Sequence, residues 1–313
     1  LAKSRMVAPG HLDPQLGAFR TDAPTTHPVA VNLTLTIAAS LGWQIWLFDV
    51  STAFLSGKAT DREVYVRAPK EGLPATETMS AIEPLTLMQV LKSIYGLVEA
   101  PRLWYMRAVE LLLCVGFVEL KCCRATFVLR DEQGLVQSIC CLHVDDGLLA
   151  GSADMQIFLN AKKRIDEVFN IKEWQCVQEK PGRYLGEEIS QDENFVVTRS
   201  MEHYFEKIDP VAVDKKADDD GTYEELTPLR SLVMKLAWPA RKVMSTIHYG
   251  VSTAAQRLTR ATVGFAKSCN KLLVTAKAEA AAGRAKAIYR KVDLANPCVV
   301  TFFDASYGQE EAG

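Results

Sequence analysis

Two stretches of the chain put acids where acids are costly. In Phe48-Asp49-Val50 a carboxylate interrupts an apolar run, and in Val144-Asp145-Asp146-Gly147 two adjacent carboxylates sit between apolar runs. A carboxylate flanked by apolar strand residues must be paired, hydrogen-bonded or metal-bound to be tolerated. Neighbouring carboxylates also repel, which raises a pKa unless a cation lies between them. Hard oxygen donors of this type suit Mg2+, which binds through one or two carboxylates plus substrate phosphates. Two such ions about 3.5–4 Å apart would serve in-line phosphoryl transfer. Asp-Gly is equally a common turn signal, so the Asp145-Asp146-Gly147 run taken alone also reads as a plain hairpin turn.

Other chemistries are poorly served. The eight cysteines include the adjacent pairs Cys122-Cys123 and Cys140-Cys141, and no CxxC spacing occurs. Adjacent strand residues point to opposite faces, so neither pair can easily serve one zinc site or one disulfide framework. Buried free thiols in a reducing compartment fit better.

The elements that must carry the acids can be read from periodicity. Trp43–Val50 reads as a strand ending beside Asp49, and Val31–Leu41 before it as a helix. Ala125–Arg130 and Val136–Leu142 read as a hairpin joined through Asp131-Glu132-Gln133-Gly134. The second of these strands runs into the Asp145-Asp146 turn, and Leu148–Ala150 leaves it. Arg102–Gly116 and 155–170 read as helices. Glu63–Arg67 is a short strand, and 76–84 a loop. Arg183–Ile189 and 194–198 form a hairpin about Gln191-Asp192-Glu193. Met201–Ile208 is helical, and Asp214–Gly221 is a charged linker. Residues 226–292 are mostly helical, with breaks near Pro239 and Gly250. Val299–Phe303 is a last strand, ending at Asp304.

The formal charge of −2 argues at face value against a polyanion partner. It hides a segregation. Residues 226–292 hold 13 Lys and Arg and one acid, Glu279, whereas residues 1–225 hold 23 basic and 33 acidic residues. A segment this basic points to a polyanion; the plain alternative is a solvated helix face. Length allows two or three domains, at about 100–200 residues each. An apolar fraction of 48% is that of a globular protein. The best apolar run, around Leu111–Val118, falls far short of the roughly 18 residues a membrane span needs. The chain opens on Leu1 with no signal-peptide pattern and reads as a piece of a longer polypeptide.

Five collinear segments sharpen the reading. Asp49-Val50-Ser51-Thr52-Ala53-Phe54-Leu55-Ser56-Gly57 closely resembles the first catalytic box of copia-type retrotransposon reverse transcriptases, DVKTAFLNG. The run from Leu91 through Ile94-Tyr95-Gly96-Leu97 to Trp104-Tyr105 resembles LKKSLYGLKQAPRxWY. His143-Val144-Asp145-Asp146 with Leu148–Gly151 is similar to YVDDxLIAG, and Tyr184–Ile189 to FLGIEI. Arg230-Ser231-Leu232 with Leu236-Ala237 is similar to YRSLVGxLxYLA.

That resemblance implies an α+β right-hand polymerase with an antiparallel palm sheet backed by helices. Residues 1–42 and 58–92 would be fingers, 43–57 and 93–213 palm, 214–225 a linker, and 226–296 a helical thumb and connection. Residues 297–313 would be the first strand of a truncated RNase H domain, with Asp304 its first carboxylate. Asp49, Asp145 and Asp146 would be catalytic. With the Val50 carbonyl they would hold two Mg2+ or Mn2+ ions. Arg5, with Lys3 beside it, would grip the triphosphate. Ala53, Phe54, Tyr95 and Gly96 would contact the dNTP, Phe54 as the gate against a ribose 2′-hydroxyl. Leu185, Gly186 and Glu187 would form the primer grip, and Lys172 would give a proton to pyrophosphate. Arg230, Lys235, Arg241 and Lys242 would track nucleic-acid phosphates. The implied activity is RNA-directed DNA polymerisation from dNTPs on an RNA template with a DNA or RNA primer, beside other parts of a Gag-Pol polyprotein and without a membrane. The setting would be cytoplasmic, in a virus-like particle, or nuclear. The alternative is a catalytically inactive, transposon-derived nucleic-acid-binding fragment. Three departures bear on activity: His143 stands where the family has Tyr, Val98-Glu99 replaces Lys-Gln, and Arg241–Ser245 replaces Thr-Arg-Pro-Asp-Ile.

Overall fold

The computed structural model describes residues 6–77, 79–214 and 218–298. In chain order these form α1 (Pro28–Leu41), β1 (Gln44–Val50), β2 (Tyr65–Arg67), β3 (Leu87–Gln89), α2 (Ala100–Val115), β4 (Val118–Leu120), β5 (Cys123–Arg130), β6 (Val136–His143), β7 (Asp146–Gly151), α3 (Gln156–Val168), β8 (Ile171–Cys176), β9 (Gly182–Tyr184), β10 (Glu187–Gln191), β11 (Val197–Ser200), α4 (Leu226–Lys242), α5 (His248–Arg257), α6 (Val263–Ala281) and β12 (Lys286–Tyr289). The mixed helix-and-sheet class expected from the sequence is present.

A six-stranded antiparallel sheet, ordered β4-β5-β6-β7-β1-β8, is the centre of the molecule. Its inner strands are buried on both faces, so consecutive apolar residues such as those at 127–129, 139–142 and 148–150 fill both cores. On one face Phe48, Phe127, Cys140, Leu142 and Leu149 pack with α2 and α3. On the other Ile45, Leu47, Cys141, Leu148 and Ala150 pack with α1 and the second sheet. Cys140 and Cys141 thus point into different cores, as period-2 alternation requires. Helix α1 starts cleanly because the His27 Nδ1 accepts from Val29 N–H at 3.2 Å and proline occupies the first turn, where its missing donor costs nothing.

A second, four-stranded sheet, β12-β11-β10-β9, leads to a separate helical core. There Leu229, Leu232, Val233 and Leu236 of α4 meet Val251 of α5 and Leu273 of α6. Phe205, Ile208 and Val211 join this core, so the chain enters it well before residue 214.

Several expectations are corrected. The strand expected over Arg183–Ile189 is broken in two by a turn at Leu185-Gly186, both residues having positive φ. The expected linker is no free spacer in its described part: Gly264 N–H donates to the Asp219 carbonyl and Val263 N–H to the Gly221 carbonyl, stitching it to α6. Pro239 does not end α4, which runs to Lys242; in a last turn a proline removes one hydrogen bond only. Gly250 lies within α5. Residues 286–289, expected to be helical, form β12 on β11. Strand β8 carries exposed Lys172 and Glu173, and without a clean alternation it gave no strand signal. The strand expected at Val299–Phe303 and Asp304 lie outside the described residues.

One buried ion cluster ties the second sheet to α1 and α4. Glu187 and Arg199 are 3% and 4% exposed. Arg199 Nε lies 2.7 Å from Glu187 Oε2, and Lys242 Nζ 3.0 Å from Glu187 Oε1. Arg199 also donates to Asn32 Oδ1 of α1 at 2.6 Å and to the Lys242 carbonyl at 2.9 Å. Removing one partner of a buried pair leaves the other charge uncompensated. Arg199→Met should therefore lower unfolding free energy by about 3–5 kcal/mol. Urea unfolding at neutral pH checks this, and a loss below about 1 kcal/mol, the range of surface pairs, would show that the cluster does not hold the junction.

Candidate active site

The acids meet because of strand register. β1 and β7 run antiparallel with Phe48 opposite Gly147 and Asp49 opposite Asp146. The Phe48 ring needs that glycine: a Cβ at Gly147 would lie 2.0 Å from its Cζ. Phe48 therefore turns into the α2–α3 side, and Asp49 and Asp146 turn together to the other face. Asp49 and Asp146 line one small cavity of about 110 Å3 with Phe48, Lys172, Arg183 and Tyr184. Asp145 is not in that lining; it stands exposed on the turn between β6 and β7.

The turn is strained and clamped. Val144 has φ 58°, a left-handed conformation that costs a β-branched residue roughly 1–2 kcal/mol. Val50 N–H donates to the Asp145 carbonyl at 2.9 Å, and the indole Nε1–H of Trp104 donates to the Val144 carbonyl at 2.8 Å. Asp145 and Asp146 are thereby fixed to β1 and α2 rather than to their own hairpin alone.

Electrostatics shows the carboxylates to be neighbours. Burial first, then the charges of Asp145 and Asp49, push the Asp146 carboxyl up to about 6. His143, opposite Asp146 across β6 and β7, is pushed below the usual histidine range by burial and by Lys242, with Asp145 opposing. It is the neutral ring near neutral pH. Among the described residues no three His, Cys, Asp or Glu side chains stand close enough to cage an ion by themselves. A half-buried Asp146 carboxylate, costly to charge beside Asp49 and Asp145, nevertheless suits a divalent cation of the Mg2+ kind, which leaves room for waters and substrate phosphates.

A family model described as reverse transcriptase (RNA-dependent DNA polymerase) matches residues 2–229. The chain belongs to that family. Its relatives include the Retrovirus-related Pol polyprotein from transposon RE1 of Arabidopsis thaliana, 30% identical over 172 residues, or 55% of this chain and 11% of that protein. The corresponding polyprotein from transposon RE2 of the same plant is 31% identical over 172 residues, with the same coverage. The chain thus spans about a tenth of the length of these copia-like Pol polyproteins. A solved telomerase from Candida albicans in complex with a TWJ fragment of telomeric RNA superposes at a TM-score of 0.33 and 8% identity, covering 82% of this chain and 53% of that one.

The remaining residues expected of a reverse transcriptase fall into three groups. Some come together. Phe54 and Tyr95 meet edge to face with ring centroids 5.5 Å apart, and the Phe54 carbonyl accepts from Ser93 Oγ. Ala53 is buried beside them in the α2–α3 core. Lys172, exposed on β8, reaches the cavity of Asp49 and Asp146.

Others have a packing role in the fold. Gly96 has φ +86°, and a Cβ there would lie 2.0 Å from the Ala8 carbonyl oxygen. Its lack of a side chain serves the passing N-terminal segment, which is bound through Ala8 N–H to the Tyr95 carbonyl at 2.8 Å. Leu185 and Gly186 form the β9–β10 turn, and a Cβ on Gly186 would lie 2.6 Å from Trp238 Cη2. Glu187 is buried in the ion cluster with Lys242, so Glu187 offers no face to a primer and Lys242 is not the solvent-facing phosphate ligand expected.

Arg230, Lys235 and Arg241 are exposed on α4. Arg5 and Lys3 lie outside the described residues. The departure at Glu99 is compensated locally: Arg62 Nε pairs with it at 2.7 Å and Thr60 donates to it at 2.6 Å. Trp104, Trp238 and Arg199 were not singled out from sequence. Trp104 falls within a recognised motif, but the role of each shows only in the partners it reaches across the fold.

The raised Asp146 carboxyl has a measurable consequence. Its folded pKa exceeds the unfolded value, so the native state binds the extra proton between about pH 4 and pH 6. Stability is lost as pH rises through that window and stays lost above it. In metal-free buffer Asp146→Asn should therefore melt higher than the unaltered chain at pH 7. The gap should close near pH 4, and thermal melts across that range check it. A gap independent of pH would show that Asp146 is not strained by its neighbours.

Proposed function

We propose that this chain is the polymerase core of a retrotransposon reverse transcriptase, carrying out RNA-directed DNA synthesis from dNTPs on an RNA template. The observation that carries the reading is the register placing Asp49 opposite Asp146, with Asp145 tied by its carbonyl to Val50. The six-stranded sheet with α2 and α3 would serve as palm, the segment containing β2 and β3 as fingers, and α4–α6 as thumb.

In this reading Asp49, Asp145 and Asp146, with the Val50 carbonyl, hold two divalent ions. Bound there, Mg2+ or Mn2+ would supply acidification of the primer 3′-hydroxyl and charge compensation for the leaving pyrophosphate. The chain's own groups do the rest. The half-buried strand ends fix the carboxylates before substrate arrives, so little reorganisation is needed in the transition state. The 3′-hydroxyl would give its proton to solvent water, and its oxygen would bond to the α-phosphorus as the bond from that phosphorus to the pyrophosphate oxygen breaks. Lys172, at the rim of the same cavity, is placed to protonate pyrophosphate. Phe54, whose ring meets Tyr95 and whose carbonyl accepts from Ser93, would in this reading clash with a ribose 2′-hydroxyl. Arg230, Lys235 and Arg241 supply sequence-independent phosphate contacts. A Gag-Pol polyprotein and a cytoplasmic particle or the nucleus are the corresponding setting. Among the described residues no helix is long and apolar enough to cross a membrane.

Primer extension on an RNA template with Mg2+ or Mn2+ tests the reading. The unaltered chain should incorporate dNTPs and Asp145→Asn should reduce incorporation to background. Salt-sensitive template–primer binding with no incorporation under either metal would instead establish an inactive nucleic-acid-binding fragment. A second measurement addresses Phe54. Phe54→Val should lower the preference for dNTP over rNTP by about tenfold or more, since one steric contact with a hydroxyl is at stake. Unchanged preference in competition assays would assign Phe54 to the core alone.

A further inference from the structure

We infer that Trp104 is a positioning residue for the carboxylate turn, holding Val144-Asp145 in the conformation in which Asp145 can serve as a ligand. The inference rests on the metal-binding role proposed above for Asp145.

Four observations carry it. Val144 is β-branched and has φ 58°. Such a residue keeps a left-handed conformation only where its surroundings over-determine it. Its carbonyl accepts from Trp104 Nε1–H at 2.8 Å, and the next carbonyl, of Asp145, accepts from Val50 N–H at 2.9 Å. Both acceptors of the turn are thus held from outside the hairpin, one by β1 and one by α2. Finally, Trp104 is itself immobile. It is 2% exposed, sits in the core beneath the turn, and meets Phe169 edge to face at 6.1 Å.

A buried tryptophan whose N–H simply finds some acceptor is the plainer account. The two accounts differ in what the N–H does for a group it never touches. If Trp104 only fills the core, loss of the N–H changes stability and leaves ion binding alone. If it clamps the turn, loss of the N–H frees Val144 to relax and moves Asp145.

The test uses Mn2+ binding followed by electron paramagnetic resonance, which needs neither primer nor turnover. Two changes remove the donor: Trp104→Phe, and replacement of Trp104 by benzothienylalanine, whose ring keeps the shape with sulfur in place of N–H. The second keeps the question answerable if the phenylalanine variant fails to fold. Each should weaken Mn2+ binding by about tenfold, the usual effect of losing a group that orients a metal ligand. Val144→Gly supplies the decisive background, because glycine adopts the left-handed conformation without strain. There the same Trp104 changes should weaken Mn2+ binding by less than about twofold, since coupled sites are non-additive.

Unchanged Mn2+ affinity in the benzothienylalanine protein, or equal losses with Val144 and with glycine at that position, overturns the inference. Absence of Mn2+ binding by the unaltered chain overturns it too, together with the metal role of the acids. Normal Mn2+ binding and the expected coupling without primer extension would instead sink the polymerase reading and leave the role of Trp104 standing.

Discussion

The antiparallel register of β1 on β7 is the constraint on which the acidic end of the molecule depends. Side chains alternate with a period of two, so a slip of one residue would send every side chain of β1 to the other face. Asp49 would then enter the α2–α3 core and Phe48 would leave it. Two pieces of packing forbid the slip. The Phe48 ring occupies the space that only a glycine at position 147 leaves free, and Ile45 and Leu47 already fill the opposite core beside Leu148 and Ala150. The carboxylates are brought together by apolar side chains that have no chemistry of their own.

From that register the rest of the site follows outward. Once Asp49 faces Asp146, the turn between β6 and β7 must carry Asp145 over the end of β1, and Val50 N–H meets its carbonyl. The geometry forces Val144 into a left-handed conformation, and α2 answers with the Trp104 indole. On the same side of the sheet, β9 brings Arg183 and Tyr184 to the cavity, and the turn from β9 to β10 is capped by Trp238 of α4 over Gly186. The ion cluster of Glu187, Arg199 and Lys242 then fixes α4 to that second sheet. At this strand end the left-handed Val144 and the like charges of the carboxylates are held by the surrounding packing.

Much of this was legible in the sequence, and for identifiable reasons. Phe48-Asp49-Val50 and Val144-Asp145-Asp146 stood out because acids among apolar strand residues are expensive. Strands β1, β5 and β6 were visible from their periodicity and their flanking turns, and the adjacent Cys140 and Cys141 were expected as buried thiols pointing to opposite faces. What stayed hidden was pairing at a distance. Glu187 looked like a primer contact by position in its motif, but its true environment depends on Arg199 and on Lys242, far along the chain. Lys172 was expected near the pyrophosphate only through the family resemblance; the strand that carries it, β8, has no alternating pattern and joins the sheet only through β1. Trp104 lay within a recognised motif, yet its donor is spent on a carbonyl 40 residues away, which no local pattern encodes.

The charge segregation gains a different meaning in three dimensions. Not all of the excess positive charge between 226 and 292 is offered to a polyanion. Lys242 is spent on Glu187, Lys267 lies 2.7 Å from Asp219, and Arg284 pairs with Glu279 at 2.7 Å. Arg230, Lys235 and Arg241 instead lie exposed on α4, the helix whose Trp238 rests on the β9–β10 turn. A counterion-release effect depends on cations that reach phosphates, not on those neutralised inside the fold. The exposed charge of the segment is therefore shared between α4 and later residues, among them Lys271, Arg290 and Lys291. Of these elements α4 is the one joined to the second sheet through the Lys242–Glu187 pair, and Lys242 acts on His143 beside the carboxylates.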